Sequence, residues 1–155
     1  MNFFTEVEQA ILTLLQNADC AGEIRTWEAE LREVLFTGEQ LSKGFGAREL
    51  PAVMVTTSQD PTRSAPFTTG EIRYQIPVQI LVVVAATKRE AARDEVLRLI
   101  RSMEAMLHQA RRSDGLGLNT FIGDELLSSH VVVQDRPHQF AVGNITATVW
   151  KVVEL

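Results

Sequence analysis

The chain has little that reacts. It holds one cysteine, Cys20, and a lone thiol closes no intrachain disulfide. Near Ala18 and Ala21 it reads as a small packing residue rather than a nucleophile. Long hydrophobic runs are missing too. The longest, residues 80–86, falls far short of the roughly 20 residues that span a bilayer, and no basic flank and apolar segment opens the chain. The expectation is a protein made and kept in the cytoplasm with no membrane partner. Positive charge is not in excess, with 15 Lys and Arg against 20 Asp and Glu for a formal charge of -5. Such a balance repels a phosphate backbone. Arg89, Arg93, Arg98, Arg101, Arg111 and Arg112 gather in one segment, but Glu90, Asp94, Glu95 and Glu104 lie among them. That mixture reads as a solvated helix face.

Constellations for catalysis are equally thin. DGLGLN at residues 114–119 has the glycines of a phosphate loop, but a helix precedes them and no Lys-Ser/Thr pair follows, so Gly115 reads as a helix stop. His130, Asp135 and His138 match no compact zinc spacing and have no cysteine beside them. They read as exposed strand and turn residues, and His108 as a solvated helix residue. Ser128 and Ser129 precede His130 without a Gly-x-Ser-x-Gly elbow. No catalytic, metal or cofactor residue is assigned, and the expectation is a protein that is not an enzyme.

What is present is a pattern of elements. At 155 residues, 45% apolar and 23% charged, the chain suits one domain, residues 1–155, with a core of its own. Thr5 and Glu8 have capping-box spacing, and Val7, Ile11, Leu14, Leu15 and Ala18 repeat at helical period, which predicts a first helix to about Asn17. Residues 22–36 read either as helix, through Ile24, Trp27, Leu31, Val34 and Leu35, or as a short strand at GEIRTWEAE; the pattern leaves both open. Residues 37–49, with three glycines, read as a loop. AVMVTTS after Pro51 reads as a strand. Residues 59–69, with two prolines, read as a long connection that forms a protruding hairpin arm if its flanking strands pair.

The stretch at residues 70–87, GEIRYQIPVQILVVVAAT, alternates along its whole length. Ile72, Tyr74, Ile76, Val78, Ile80, Val82 and Val84 share one face; Arg73, Gln75, Pro77 and Gln79 share the other, which turns apolar at Leu81, Val83 and Ala85. One half of this strand is therefore expected to be covered on one side and the other half on both. Pro77 removes a donor from one flank only, so that flank is expected to be an edge or a bulge at its level. Thr87 and Glu90 repeat the capping-box spacing, and Val96, Leu99, Ile100, Met103, Leu107 and Ala110 mark one face of a helix to about Arg112. Met103 and Met106 read as core filling. Residues 113–129 read as a glycine-containing link. HVVVQDRP and QFAVGNITATVWKVVEL read as antiparallel strands about a tight turn near residues 135–138, with a bulge or bend at Gly143 and Asn144. Trp27 and Trp150 read as core residues, with an interface anchor as the sharper alternative. The fold class is α+β: a mostly antiparallel sheet with an N-terminal helix and one long helix packed on it.

The order of EIRTWEAEL, ELPAVMVTTS, RYQIPVQILVVVAA, the helix after it, VVVQDRP and ITATVWKVVEL resembles bacteriophage tail terminator and tail-completion proteins. The likeness is strongest to small Mu-like prophage proteins of contractile tails, in which a leucine-proline-alanine-valine element leads a strand, as Leu50, Pro51, Ala52 and Val53 do here. The resemblance implies a structural protein without catalytic residues or cofactors that forms a ring, usually a hexamer, on the completed tail tube. Such a ring stops polymerisation and joins the head connector, with tube, sheath and connector proteins as partners and DNA met only by passage through the lumen. It implies assembly in the host cytoplasm and a place in the virion tail, and it favours the strand reading of residues 22–28. Ring contacts are expected from Gln59, Arg63 and Phe67 in the arm, Lys43 and Phe45 in the glycine-rich loop, and Leu116, Asn119 and Phe121 in the link after the long helix. The alternative is a small-ligand-binding or regulatory domain with a pocket between that helix and the sheet.

Overall fold

The structure, a computed structural model, describes residues 3–29, 49–57, 62–64, 71–113, 120–135 and 138–154. Helix α1 (Phe3–Leu15) leads through a short 3-10 turn (Ala21–Glu23) to strand β1 (Thr26–Glu28). Strands β2 (Ala52–Thr57), β3 (Thr62–Ser64) and β4 (Glu71–Ala86) precede the long helix α2 (Arg89–Ser113), and β5 (Thr120–Asp135) and β6 (His138–Glu154) close the order. The strands form one mixed sheet in the order β1-β2-β4-β6-β5, with β3 also paired to β4. Among the described strands only the β1/β2 pair is parallel. The α+β class expected from the pattern is the class observed.

Alternation along β4 sets the layers. Its Ile76, Val78, Ile80, Val82 and Val84 join Val53 and Val55 of β2 and Ala141, Ile145 and Val149 of β6 beneath the helices. Onto this face α1 lays Val7, Ile11, Leu14 and Leu15, and α2 lays Val96, Leu99, Ile100, Met103, Leu107 and Ala110. Each large side chain so buried contributes about 1.5–3 kcal/mol. That burial, more than intrinsic propensity, holds a charge-rich helix such as α2 in place. On the opposite face Leu81 and Val83 are buried in a second cluster with Leu50, Ala52, Met54 and Phe140. Pro77 is exposed there, and Gln75 and Gln79 are half-buried. The two halves of β4 thus differ as its sequence predicts, except that Ala85 is exposed. Cys20 is buried.

Several expectations are corrected. Helix α1 is already under way at Thr5, and Glu8 accepts from Thr57, so Thr5 and Glu8 form no capping box. The Ala92 N–H donates to the Lys88 carbonyl, which makes Lys88, not Thr87, the residue that caps α2. Within residues 22–36, Thr26–Glu28 is a strand because its edge pairs with β2; residues 30–36 lie outside those described. The arm at residues 59–69 is not all loop, since Thr62–Ser64 pairs with β4.

The link after α2 is the largest difference. From Thr120 onward it is strand, so β5 begins well before the expected start at His130. A bulge between Ile122 and Leu126 hides the alternation. Across it β5 advances four residues while β6 advances two, from Val149 to Ala147, so Ile122 and Leu126 keep the same face. Gly143 lies in an unbroken ladder, opposite Val82 and His130. It makes room for the helix instead: a Cβ there would come within 2.3 Å of Ile100 Cδ1 and 2.9 Å of Val96 Cγ2. Neither tryptophan is a fully buried core residue. Both are half-buried, with Trp27 packed against the helix-side core.

Candidate functional site

Ladder phase decides which strands can accept another. The Pro51 carbonyl accepts from the Arg25 N–H at 2.8 Å, and the Thr57 N–H donates to Glu8 Oε1 at 3.1 Å. Both groups therefore point away from β4. Because neighbouring residues of a strand direct their N–H and C=O to opposite sides, Ala52, Met54 and Thr56 face β4, where they meet Val83, Leu81 and Gln79. The even-numbered residues of β4 then face β6, and position 77 faces the β2 and β3 side.

That side is open at Pro77. The last β2 pair is Thr57 with Val78 and the first β3 pair is Thr62 with Gln75, while the β6 ladder runs through Pro77 and Thr148 without a break. The missing donor falls in the gap between β2 and β3. Thr56, Thr57, Pro77, Val78, Gln79 and Thr146 line a cavity of about 290 Å³ at this place.

Carried across β6, the same phase reaches β5. Val78 faces Ala147, so Ala147 faces β4 and its other partner, Leu126, turns its backbone groups outward. With the register unbroken from Leu126 to Asp135, Ser128, His130 and Val132 also point outward, whereas Leu127, Ser129, Val131 and Val133 bond to β6. Among the described strands β5 has one neighbour. Edge strands usually carry charges or proline that deter pairing, yet residues 126–134, LLSSHVVVQ, contain no Asp, Glu, Lys, Arg or Pro. Leu127, 66% exposed, is the one exposed large hydrophobic among the described residues.

The other end of the sheet differs. Strand β1 is three residues long, Thr26 Oγ1 donates to the Glu49 carbonyl at 2.7 Å, and the overhanging N–H of Thr57 is taken by Glu8. Beyond that cap, β3 has β4 as its neighbour on one side. Since β3, β4, β6 and β5 are antiparallel in turn, β3 and β5 run in opposite senses at opposite edges.

On the solvent side of α2, Arg93, Asp94, Leu97, Arg98 and Arg101 line a surface hollow of about 390 Å³. Arg98 donates to both Glu23 oxygens at 2.7 and 2.8 Å and to Glu95 at 2.8 Å. These hydrogen bonds hold the Glu23 carboxyl below its ordinary value against an opposing effect of burial, and raise Arg98 above its own. The Arg98 charge is thereby matched by Glu23 and Glu95 within the protein. At the interface between α2 and the sheet Val96, Leu99, Met103 and Leu107 are fully buried. Neither cavity lies in it.

The expected contact residues divide. Strand β3 places the backbone of Arg63 opposite Tyr74, and β5 places that of Phe121 opposite Trp150. Gln59, Phe67, Lys43, Phe45, Leu116 and Asn119 lie outside the described residues. Two features went unanticipated: the Glu8–Thr57 cap, whose partners are 49 positions apart, and the outer edge of β5. An uncharged, proline-free run at residues 126–134 was the available signal for the second. His130 is exposed, and no group of three or more metal-binding side chains occurs among the described residues. No family model matches the chain, and no curated protein sequence matches it.

Proposed function

We propose that the protein is a non-enzymatic virion assembly protein of the tail terminator type. Copies form a closed ring, a hexamer by resemblance, that caps the tail tube and joins it to the head connector, with the sheath alongside. Assembly takes place in the host cytoplasm and ends in the virion tail; DNA meets the protein only in the lumen. The observation that carries this reading is that, among the described strands, β3 and β5 each have one neighbour and run in opposite senses at opposite edges of one sheet. A ring needs a heterologous contact in which one surface meets a different surface of the next copy, and unpaired strand edges offer one. The element order, with Leu50, Pro51, Ala52 and Val53 leading β2, supports it independently. The small-ligand reading needs a pocket between α2 and the sheet, where Val96, Leu99, Met103 and Leu107 are fully buried.

The test is tube capping. Added to polymerising tail tube protein, the chain is expected to stop growth and to appear as a ring at one end of each tube in electron micrographs. Tubes that lengthen unchanged, with bare ends, would contradict the reading.

A further inference from the structure

We infer that the outer edge of β5 at residues 129–131 pairs with strand β1 of a second copy of this chain, so that His130 of one copy stands opposite Trp27 of the next. The inference rests on the ring reading and names its contact. One row of paired residues crosses the sheet, from Trp27 through Val53, Val82 and Gly143 to His130. Both of its ends turn their backbone groups outward. Val53 faces β1 and, in a parallel pair, bonds the two residues that flank its partner, so Thr26 and Glu28 take those bonds and Trp27 faces away. The Thr26 N–H donates to the Pro51 carbonyl in the same phase, at 3.4 Å. At the other end His130 faces away from β6.

Sense and height select the occupant. Strand β1 runs with β2 and β5 runs with β4, so between two copies in one orientation β5 and β1 are antiparallel. In a ring whose axis lies along the strands, successive copies stand at one height. Thr26, Trp27 and Glu28 then meet Val131, His130 and Ser129. Strand β3 has the same length and sense but is level with Thr120 and Phe121, where β5 begins. Between that level and residue 126 lies the bulge with Asp124 and Glu125, and charges deter edge pairing. Leu127, Ser128, Ser129 and His130 are exposed, and the one charge of β1, Glu28, meets Ser129. Trp27 and His130 exchange both backbone hydrogen bonds, and half-buried Trp27 gains cover. Pairing of β5 with β5 about a twofold axis closes as a dimer and leaves the outward groups of Trp27 unused.

The experiment is a disulfide trap. Within one copy, positions 28 and 129 lie four strand spacings apart, about 19 Å, which is too far for a bridge. Across the junction they form a directly opposed pair with Cα atoms about 4.5 Å apart. The double variant Glu28→Cys with Ser129→Cys, oxidised alone and with tail tubes, is expected to run on non-reducing gels as a ladder of linked copies that ends in a closed ring. Neither single variant should link, since Cys20 is buried. His130→Pro removes an outward donor and keeps the β6 ladder; with unchanged circular dichroism it is expected to lose the ring, alone and on tubes. A wild-type ring that His130→Pro retains, or whose double-cysteine variant folds and stays unlinked, would overturn the inference and leave the ring reading standing. So would linking by Ser129→Cys alone, which sets β5 against β5. A wild type that forms no ring, alone or on tubes, overturns both.

Discussion

Glu8 Oε1 receives two hydrogen bonds from Thr57, one from its backbone N–H at 3.1 Å and one from its hydroxyl at 2.9 Å. A side chain of the first helix thereby satisfies the end of β2, beyond the reach of the short β1. Thr57 is buried, so losing this acceptor leaves donors unsatisfied. Glu8→Ala is expected to cost about 1–3 kcal/mol without moving the denaturant m-value, as read from urea unfolding. A change below about 0.5 kcal/mol would show that water replaces the carboxylate.

Gly143→Ala places a methyl 2.3 Å from Ile100 Cδ1 and 2.8 Å from Ile100 Cγ1. Overpacking of this kind costs about 1–3 kcal/mol. Ile100→Val removes the nearest atom, so the double variant should lose less than the sum of the singles by at least about 0.5 kcal/mol. Strict additivity in thermal or urea unfolding would mean that α2 moves aside.

Pro77→Ala restores a donor that faces the gap between β2 and β3. It is expected to lower stability by no more than about 0.4–1 kcal/mol, through the greater freedom of the unfolded chain. Gln79→Pro, two residues on, removes a donor that faces Thr56 and costs at least the ~1 kcal/mol of that hydrogen bond, plus any distortion. Equal effects in urea unfolding would refute the assigned ladder phase.

The Glu23 carboxyl is held below its ordinary value of 4.5 by the hydrogen bonds from Arg98. A lowered folded value means stability that is fully present above the unfolded value and lost as pH falls through the folded one. Arg98 stays protonated throughout this range and adds no pH dependence. The pair is half-exposed, so its effect is small and screened by salt. The melting temperatures of wild type and Glu23→Gln should differ slightly at pH 7 in low salt and converge once the pH falls below the folded value of the carboxyl. A gap that persists in high salt would point to packing, not charge.

Legibility in the sequence followed the regularity of each element. β4 and α2 could be read almost to their ends because one period runs through each, and the break in the outer face of β4 marked where the second cluster begins. Pro77 even indicated an interrupted flank, which the gap between β2 and β3 supplies. β5 was read only from His130 onward because the residues between Ile122 and Leu126 break the alternation at a bulge. Gly143 was misread because a glycine inside a strand fits a bulge and a close helix equally well, and only the approach of Ile100 separates them. The Glu8–Thr57 contact joins residues far apart in the chain, so local spacing assigned Glu8 to the helix end. Of the contact residues, Arg63 and Phe121 stand on strands in the structure, where the sequence reads as loop and link.

The ring is tested most directly by mass in solution. Multi-angle light scattering of the purified chain, alone and with tail tubes, is predicted to show one closed homo-oligomer, or monomers that become rings on the tube ends. A monomer at high concentration that does not associate with tubes would contradict the account.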